Sequence, residues 1–230
     1  MSGNDTFMAG GGYDFIDGGV GTDTLTYYKP DYDAIGATNW ESIQGITVDL
    51  NSTDFTMIKE TSTARVIDLV KNVENINATE YVDKIYGGNN SETIKTYGGN
   101  DYIRLGRGVD TVYGGNGIDT LDLQQDALLS QTTQLTATGT MQYWNGTSFV
   151  DGYNTSDGVN YAYEIENVTL GATNDTFSGN DSANVIYASG GNDAINGMGT
   201  VKEMEEDEMR KIREQEMATL VQALGMFPDF

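Results

Sequence analysis

The chain has no cysteine and no histidine, only 2 prolines, and only 12 lysines and arginines among 230 residues. The first two absences exclude a disulfide framework, a thiolate or imidazole zinc site, a histidine-activated nucleophile, and haem held by either residue. Side-chain chemistry here is therefore oxygen chemistry. No run approaches the roughly 20 apolar residues of a membrane span. The opening Met1-Ser2-Gly3-Asn4-Asp5 is polar where an export signal peptide is basic and then apolar. Neither membrane insertion nor Sec export is expected.

The shortage of basic residues leaves 35 aspartates and glutamates largely uncompensated, with a net charge of −23 and a pI near 4.1. Such a surface repels nucleic acid and anionic membranes. Glycine is abundant, at 29, but with so little proline these residues do not read as a Pro/Gly linker. Apolar residues make up 38%. That modest share beside a large charge predicts disorder unless something neutralises the acids.

The glycines and aspartates recur together. Gly18-Gly19-Val20-Gly21-Thr22-Asp23-Thr24-Leu25-Thr26 and Gly114-Gly115-Asn116-Gly117-Ile118-Asp119-Thr120-Leu121-Asp122 share the pattern GGxGxDxUx, with U apolar. Steps of nine connect Asp5, Asp14 and Asp23; then Asp83, Glu92, Asp101, Asp110 and Asp119; then Asp175, Asn184 and Asp193. Two residues after each stands Phe7, Ile16, Leu25, Ile85, Ile94, Ile103, Val112, Leu121, Phe177, Ile186 or Ile195. The organisation follows: repeat blocks at 1–26, 74–122 and 166–200, β-rich insertions at 27–73 and 123–165, and a C-terminal segment at 201–230. Both insertions end in a similar phrase, Val73-Glu74-Asn75-Ile76 and Ile165-Glu166-Asn167-Val168, with glutamate in the acidic slot one repeat early. Within them, Gly45-Ile46-Thr47-Val48-Asp49-Leu50 alternates like a strand, and Asn145-Gly146 predicts a type I′ hairpin turn.

A nine-residue unit cannot bury its one apolar side chain alone, whereas stacked units can, each adding a short strand and a turn to a solenoid. Two units make one coil, so residues on one edge are 18 apart: Asp5 beside Asp23, Asp83 beside Asp101, Glu92 beside Asp110, Asp101 beside Asp119, Asp175 beside Asp193. Carboxylates in rows at the strand spacing of about 4.8 Å repel one another. A hard cation taking six to eight oxygens removes that penalty, and calcium suits a flexible cage of carboxylates and turn carbonyls better than magnesium does. Glycines at the turns let those carbonyls approach a common centre. The alternative is a metal-free solenoid in which each aspartate only forms a local Asx turn; Asn or Ser would serve that purpose without accumulating charge.

These residues resemble the RTX, or haemolysin-type, calcium-binding repeats, over a little under half the chain. The resemblance implies an all-β fold, a parallel β-roll (β-solenoid) with two β-rich insertions, several structural Ca2+ ions, an extracellular or cell-surface location and type I secretion. It places metal ligands at Asp5, Asp14, Asp23, Asp83, Glu92, Asp101, Asp110, Asp119, Asp175 and Asp193, and at turn glycines such as Gly19, Gly21, Gly115 and Gly117. Glu92 and Asn184 depart from the family aspartate, and the units beginning Ala9, Ala78, Thr96, Leu105, Leu170 and Ala188 lack the first glycine, which predicts some weak or empty sites.

At 202, where the register asks for an acid, stands Lys202, so the solenoid is expected to stop. Thr200-Val201-Lys202-Glu203 reads as a capping box, followed by an α-helix from about 201 to 224 with Met217, Leu220, Val221 and Leu224 as its apolar stripe. That stripe predicts either a cap on the last coil, a partner helix or a secretion signal. With Asp5 already in register, the first coil is uncapped and invites a second chain, giving end-to-end stacking or a homo-oligomer. The expected function is a calcium-responsive, secreted structural or interaction module. The alternatives are a self-assembling unit of a surface layer, adhesin or virus-particle appendage, and a carbohydrate-contacting accessory suggested by Tyr27, Tyr28, Tyr32, Trp40, Tyr143 and Trp144. An enzyme is not expected, since the paired acids lie in rows that a metal explains.

Overall fold

The computed structural model describes residues 2–9, 12–28, 43–51, 54–124, 132–145, 147–155, 158–197 and 201–203. Every regular element among them is a β-strand. In the repeats the strands are three or four residues long and are centred on the apolar position: Thr6–Met8 around Phe7, Thr93–Lys95 around Ile94, Tyr102–Arg104 around Ile103. They cannot be longer, because a turn intervenes in each nine-residue unit.

Successive strands alternate between two parallel sheets. Ile85 pairs with Ile103 and Ile103 with Leu121 in one, while Ile94 pairs with Val112 in the other. Each 18-residue step therefore returns the chain to the same sheet, one strand further along. Side chains at the apolar position stack as two inward columns. Phe7, Leu25, Ile76, Ile94, Val112 and Ala162 are in register on one side, and Val48, Ile85, Ile103, Leu121, Val168 and Ile186 on the other. Most are fully buried in one core cluster. Each such Ile or Leu contributes about 1.5–3 kcal/mol relative to exposure, so truncating Ile103 to Ala would break the column at a cost of about 2–5 kcal/mol.

The insertions enter these sheets as strands. Ile46–Asp49, Thr56–Glu60 and Val66–Lys71 form an antiparallel meander spliced into the ten-stranded sheet between Asp14–Asp17 and Lys84–Tyr86. Across the core, Thr24–Thr26 pairs directly with Asn75–Asn77, with nothing between. In the second insertion, Val159–Tyr163 continues the seven-stranded sheet beside Thr111–Tyr113. Thr132–Leu135 instead pairs with Thr176–Ser178 and opens a five-stranded sheet. Tyr27 is buried, with its hydroxyl donating to Asp68 Oδ2 at 2.5 Å, and Tyr28 stacks on Tyr97 at 3.6 Å. Both are engaged in packing. Tyr32 and Trp40 lie outside the described residues.

Two expectations need correction. The hairpin around Asn145 exists, but Trp144 pairs with Phe149 and the Asn145 N–H donates to the Ser148 carbonyl (3.1 Å), so Asn145 closes the turn opposite Ser148 instead of standing at its first central position. The cause is the Asn145 side chain, whose Oδ1 accepts the N–H groups of both Thr147 (3.0 Å) and Ser148 (3.1 Å) and so satisfies the loop donors ahead of the strand. At the other site, Val201–Glu203 forms a strand where the capping box predicted a helix start. It pairs with Asn184–Tyr187 in the register Asn184↔Val201, one residue short of the 18-residue step. The open edge of the ten-stranded sheet offers unpaired backbone groups to a segment that would otherwise have to satisfy its own, and the stack gains a strand instead of stopping. Positions 204–230, including Met217, Leu220, Val221 and Leu224, lie outside the described residues.

Candidate metal centre

Each repeat turn has a fixed backbone design. The fourth position of the unit is a glycine with positive φ at Gly3, Gly12, Gly21, Gly99, Gly108, Gly117 and Gly191. The reason is contact as well as torsion. A Cβ on Gly117 would stand 1.5 Å from the Gly99 carbonyl oxygen, and one on Gly21 2.0 Å from that of Gly3. Turns of adjacent coils thus touch through bare backbone, and Gly98–Gly99 pairs with Asn116–Gly117 as a small parallel ladder of its own. The second position also has positive φ, at Gly19 and Gly115 but equally at Tyr97 and Ser189.

The acids form the expected rows, joined by a specific bond. The N–H of each acid donates to the carboxylate of the acid one coil on: Asp5 to Asp23 Oδ1 (2.8 Å), Asp83 to Asp101 (2.8 Å), Glu92 to Asp110 (2.9 Å), Asp101 to Asp119 (2.9 Å) and Asp175 to Asp193 (2.9 Å). The same kind of bond reaches into the insertions. Asp23 N–H donates to Glu74 Oε2 and Asp119 N–H to Glu166 Oε2, both at 2.8 Å, over 51 and 47 residues of sequence. Asp14 N–H donates to Asp68 Oδ1 at 2.8 Å, and Asp110 N–H to Asn160 Oδ1 at 2.9 Å.

These bonds use one carboxylate oxygen of Asp23, Asp101 and Asp119, while Glu92 Oε1 accepts the Gly88 N–H and Asp175 Oδ1 the Thr173 hydroxyl. The other oxygen of Asp5, Asp23, Glu92, Asp101, Asp119 and Asp175 is buried with no hydrogen-bond partner among the described residues. A buried, unpartnered carboxylate oxygen is among the most costly groups a fold can contain. The cost shows in acidity. Burial pushes Glu92 and Asp101 up to about 8 and Asp119 to about 6, with Asp110 adding to the rise at Glu92, Asp83 and Asp119 adding at Asp101, and Glu166 and Glu164 adding at Asp119. Asp175 and Glu166 are raised as well, again mainly by burial. These acids are poised to take up a proton or a cation at neutral pH.

The other acidic positions differ. Asp83 is raised to about 7 by burial, yet both its oxygens are engaged, Oδ1 by the Ile46 N–H (2.6 Å) and Oδ2 by the Thr79 N–H (2.9 Å). Asn184 closes its position with neutral groups: Oδ1 accepts the Asn180 N–H and Nδ2 donates to the Glu166 carbonyl. Asp14 and Asp193 are only half-buried. Sequence reasoning missed Asp68 and Asn160, which sit in insertions and reach the rows only through strand pairing. It also missed the residue before each acid: Asn4, Ser91, Asn100 and Asn174 accept the N–H of Thr22, Val109, Ile118 and Asn192 one coil on. A recurrent Asn or Ser just before the repeat acid was the available signal.

Among the described residues no three of Asp, Glu, His or Cys converge as a metal cluster. A cation bound here would therefore need turn carbonyls beside the carboxylates to complete its shell. The turns are built for that: their carbonyls lie where a glycine Cβ would intrude, beside carboxylate oxygens lacking a partner, an all-oxygen donor set that fits calcium.

Stacked parallel strands joined by acid-lined turns define a β-repeat protein. The family comparison agrees in register: residues 1–27, 74–121 and 170–199 match the RTX calcium-binding nonapeptide repeat, and these segments are RTX repeats. No curated protein matches the chain.

Proposed function

We propose that this chain is a calcium-dependent parallel β-roll whose folding is coupled to ion binding and which serves as a secreted structural or interaction module. The observation that carries the reading is the set of buried second carboxylate oxygens at Asp5, Asp23, Glu92, Asp101, Asp119 and Asp175. Calcium placed against these oxygens and the turn carbonyls would remove both the repulsion along each row and the desolvation cost. Affinity in the range of extracellular modules, about 10⁻⁴–10⁻³ M, would leave the chain unfolded where calcium is scarce and folded outside the cell. Export in the unfolded state by a type I route fits that coupling. The ions have a structural role here, and the acids are assigned to metal rather than to catalysis. No helix among the described residues is long and apolar enough to cross a membrane.

The test is circular dichroism with hydrodynamic radius along a calcium titration, with magnesium as control. A compact β spectrum should appear with calcium and vanish with chelator. A spectrum indifferent to both ions would restore the metal-free solenoid.

A further inference from the structure

Lysine and arginine are scarce in this chain and the repeat acids stand at the turns, yet one sheet face gathers cations. In the ten-stranded sheet Ile46, Val48, Ile58, Ile85 and Ile103 are buried in the core, so their neighbours along each strand lie on the outer face. Lys59 and Lys84 flank Thr47 there, each paired with it, and so stand two strands apart, about 10 Å. Lys71 and Arg104 share this face on the strands Val66–Lys71 and Tyr102–Arg104. Apolar surface runs beside them. Phe15 is 69% exposed and Met57 51%, both are paired with Leu69, and the Phe15 ring meets that of Phe55 edge-on at 6.0 Å. The Arg104 guanidinium lies 5.3 Å from the Tyr86 ring.

The acids of this face are already engaged. Asp17 receives Lys71 Nζ (3.0 Å) and Asn72 Nδ2 (2.7 Å), Asp122 receives Arg104 Nε (3.2 Å) and the Tyr102 hydroxyl, and Asp49 accepts the Asn51 N–H (2.9 Å). Lys59 and Lys84 have no acidic partner among the described residues. Two free ammonium groups bordered by exposed apolar side chains form a contact surface for a sparse polyanion. A phosphate backbone or an anionic membrane would press its denser charge against the acidic turns at both edges of the sheet. A polysaccharide with a carboxylate on every second sugar sets its charges at a separation comparable to that of the two lysines, and its C–H faces suit aromatic rings.

We propose that the outer face of the ten-stranded sheet docks an acidic polysaccharide of that kind, with Lys59 and Lys84 pairing with successive carboxylates and Phe15, Met57 and Tyr86 covering the sugars between and beside them. The surface is built where the first insertion is spliced into the sheet, so Lys59 and Met57 come from the insertion and Phe15, Lys84 and Tyr86 from repeats. It uses none of the tyrosines and tryptophans from which the sequence suggested carbohydrate contact. The proposal rests on the calcium reading only for the folded roll, in which ions at the turns would also lower the repulsion that a polyanion meets.

The test is titration calorimetry of the full chain in calcium with a hyaluronan octasaccharide, in which uronate alternates with a neutral sugar, after circular dichroism has shown the fold. Wild type should bind, and more weakly as salt rises. The double variant Lys59→Gln, Lys84→Gln should weaken binding about five- to tenfold, as expected for two exposed charge pairs. Phe15→Ala should weaken it as well, while Lys95→Gln, on the other sheet, should leave it unchanged. No binding by folded wild type, equal binding of a neutral chitin octasaccharide, or wild-type affinity in the double lysine variant would overturn the docking surface and leave the calcium reading intact. A chain folded equally well in chelator would overturn the calcium reading alone, and the same binding comparison would then decide the docking surface in either buffer.

Discussion

The Asp101 turn of the second repeat block and the Asn184 turn of the third use one register and reach opposite chemical solutions. Around Asp101, buried acids stand in rows with an oxygen left over at Glu92, Asp101 and Asp119, and burial holds Asp101 and Glu92 near 8. Around Asn184 the amide supplies its own donor to the Glu166 carbonyl, and nothing is left unsatisfied. An amide N–H does for one carbonyl what a cation would do for several oxygens. A single Asp-to-Asn difference thus separates a turn that keeps an unsatisfied carboxylate oxygen from one that closes by itself.

The largest expected effect follows from withdrawing calcium while varying pH. Acids raised in the folded state bind more protons folded than unfolded, so their contribution to stability is present below the ordinary carboxylate range, near pH 4. It is lost as pH rises through about 6 to 8. In chelator the protein should therefore be more ordered at pH 5 than at pH 8, and hydrogen exchange at Ile94 and Ile103 should respond more than at Phe177. In calcium the order should reverse, because protons compete with the ion. The same pH trend with and without calcium would erase the distinction between the blocks.

Next is the contact between turns. Gly117→Ala places a Cβ 1.5 Å from the Gly99 carbonyl oxygen at a φ of 148°, whereas Gly190→Ala meets nothing nearer than 3.8 Å. Thermal unfolding in calcium should show a loss of at least about 2 kcal/mol for the first and within about 0.5 kcal/mol for the second. Comparable losses would mean that the fourth position of the turn tolerates a side chain as well as the third does.

Asp101→Ala removes the acceptor of the Asp83 N–H and the charge between two neighbours in its row. Asn184→Ala removes only neutral bonds. The calcium midpoint should move several-fold in the first and stay near wild type in the second, with a stability loss of about 1–3 kcal/mol from the unpaired groups. Equal shifts in midpoint would count against rows of shared ions. The smallest effect concerns what the blocks have in common. Asn100→Ala and Asn174→Ala each release one exposed N–H one coil on, so each should cost about 1 kcal/mol by chemical denaturation, with neither altering the calcium midpoint.

Much of this was legible because a nine-residue period leaves little freedom. Ile94 and Val112 had to share a column, and Asp83 and Asp101 an edge, once strands of three residues alternated with turns. Glu74 and Glu166 were visible as re-entry points for the same reason. Asp68 and Asn160 were not, since an acid-slot residue inside an insertion carries no periodic mark and is placed by its strand partner. The turn after Trp144 was placed one residue early because the Asn145 side chain takes the Thr147 and Ser148 N–H groups and makes Asn145 the closing residue. At Val201–Glu203 local helix signals gave way to an open sheet edge.

By itself the sequence determined the repeat, its inward column and the alignment of its acids, because these depend only on spacing and on which side chains avoid water. Tertiary structure alone decided which carboxylate oxygens remain unsatisfied, how each insertion is spliced into the sheets, and where a carbonyl closes against an aspartate. Those outcomes depend on groups from distant parts of the chain arriving within a hydrogen bond of one another, and no local pattern encodes that distance.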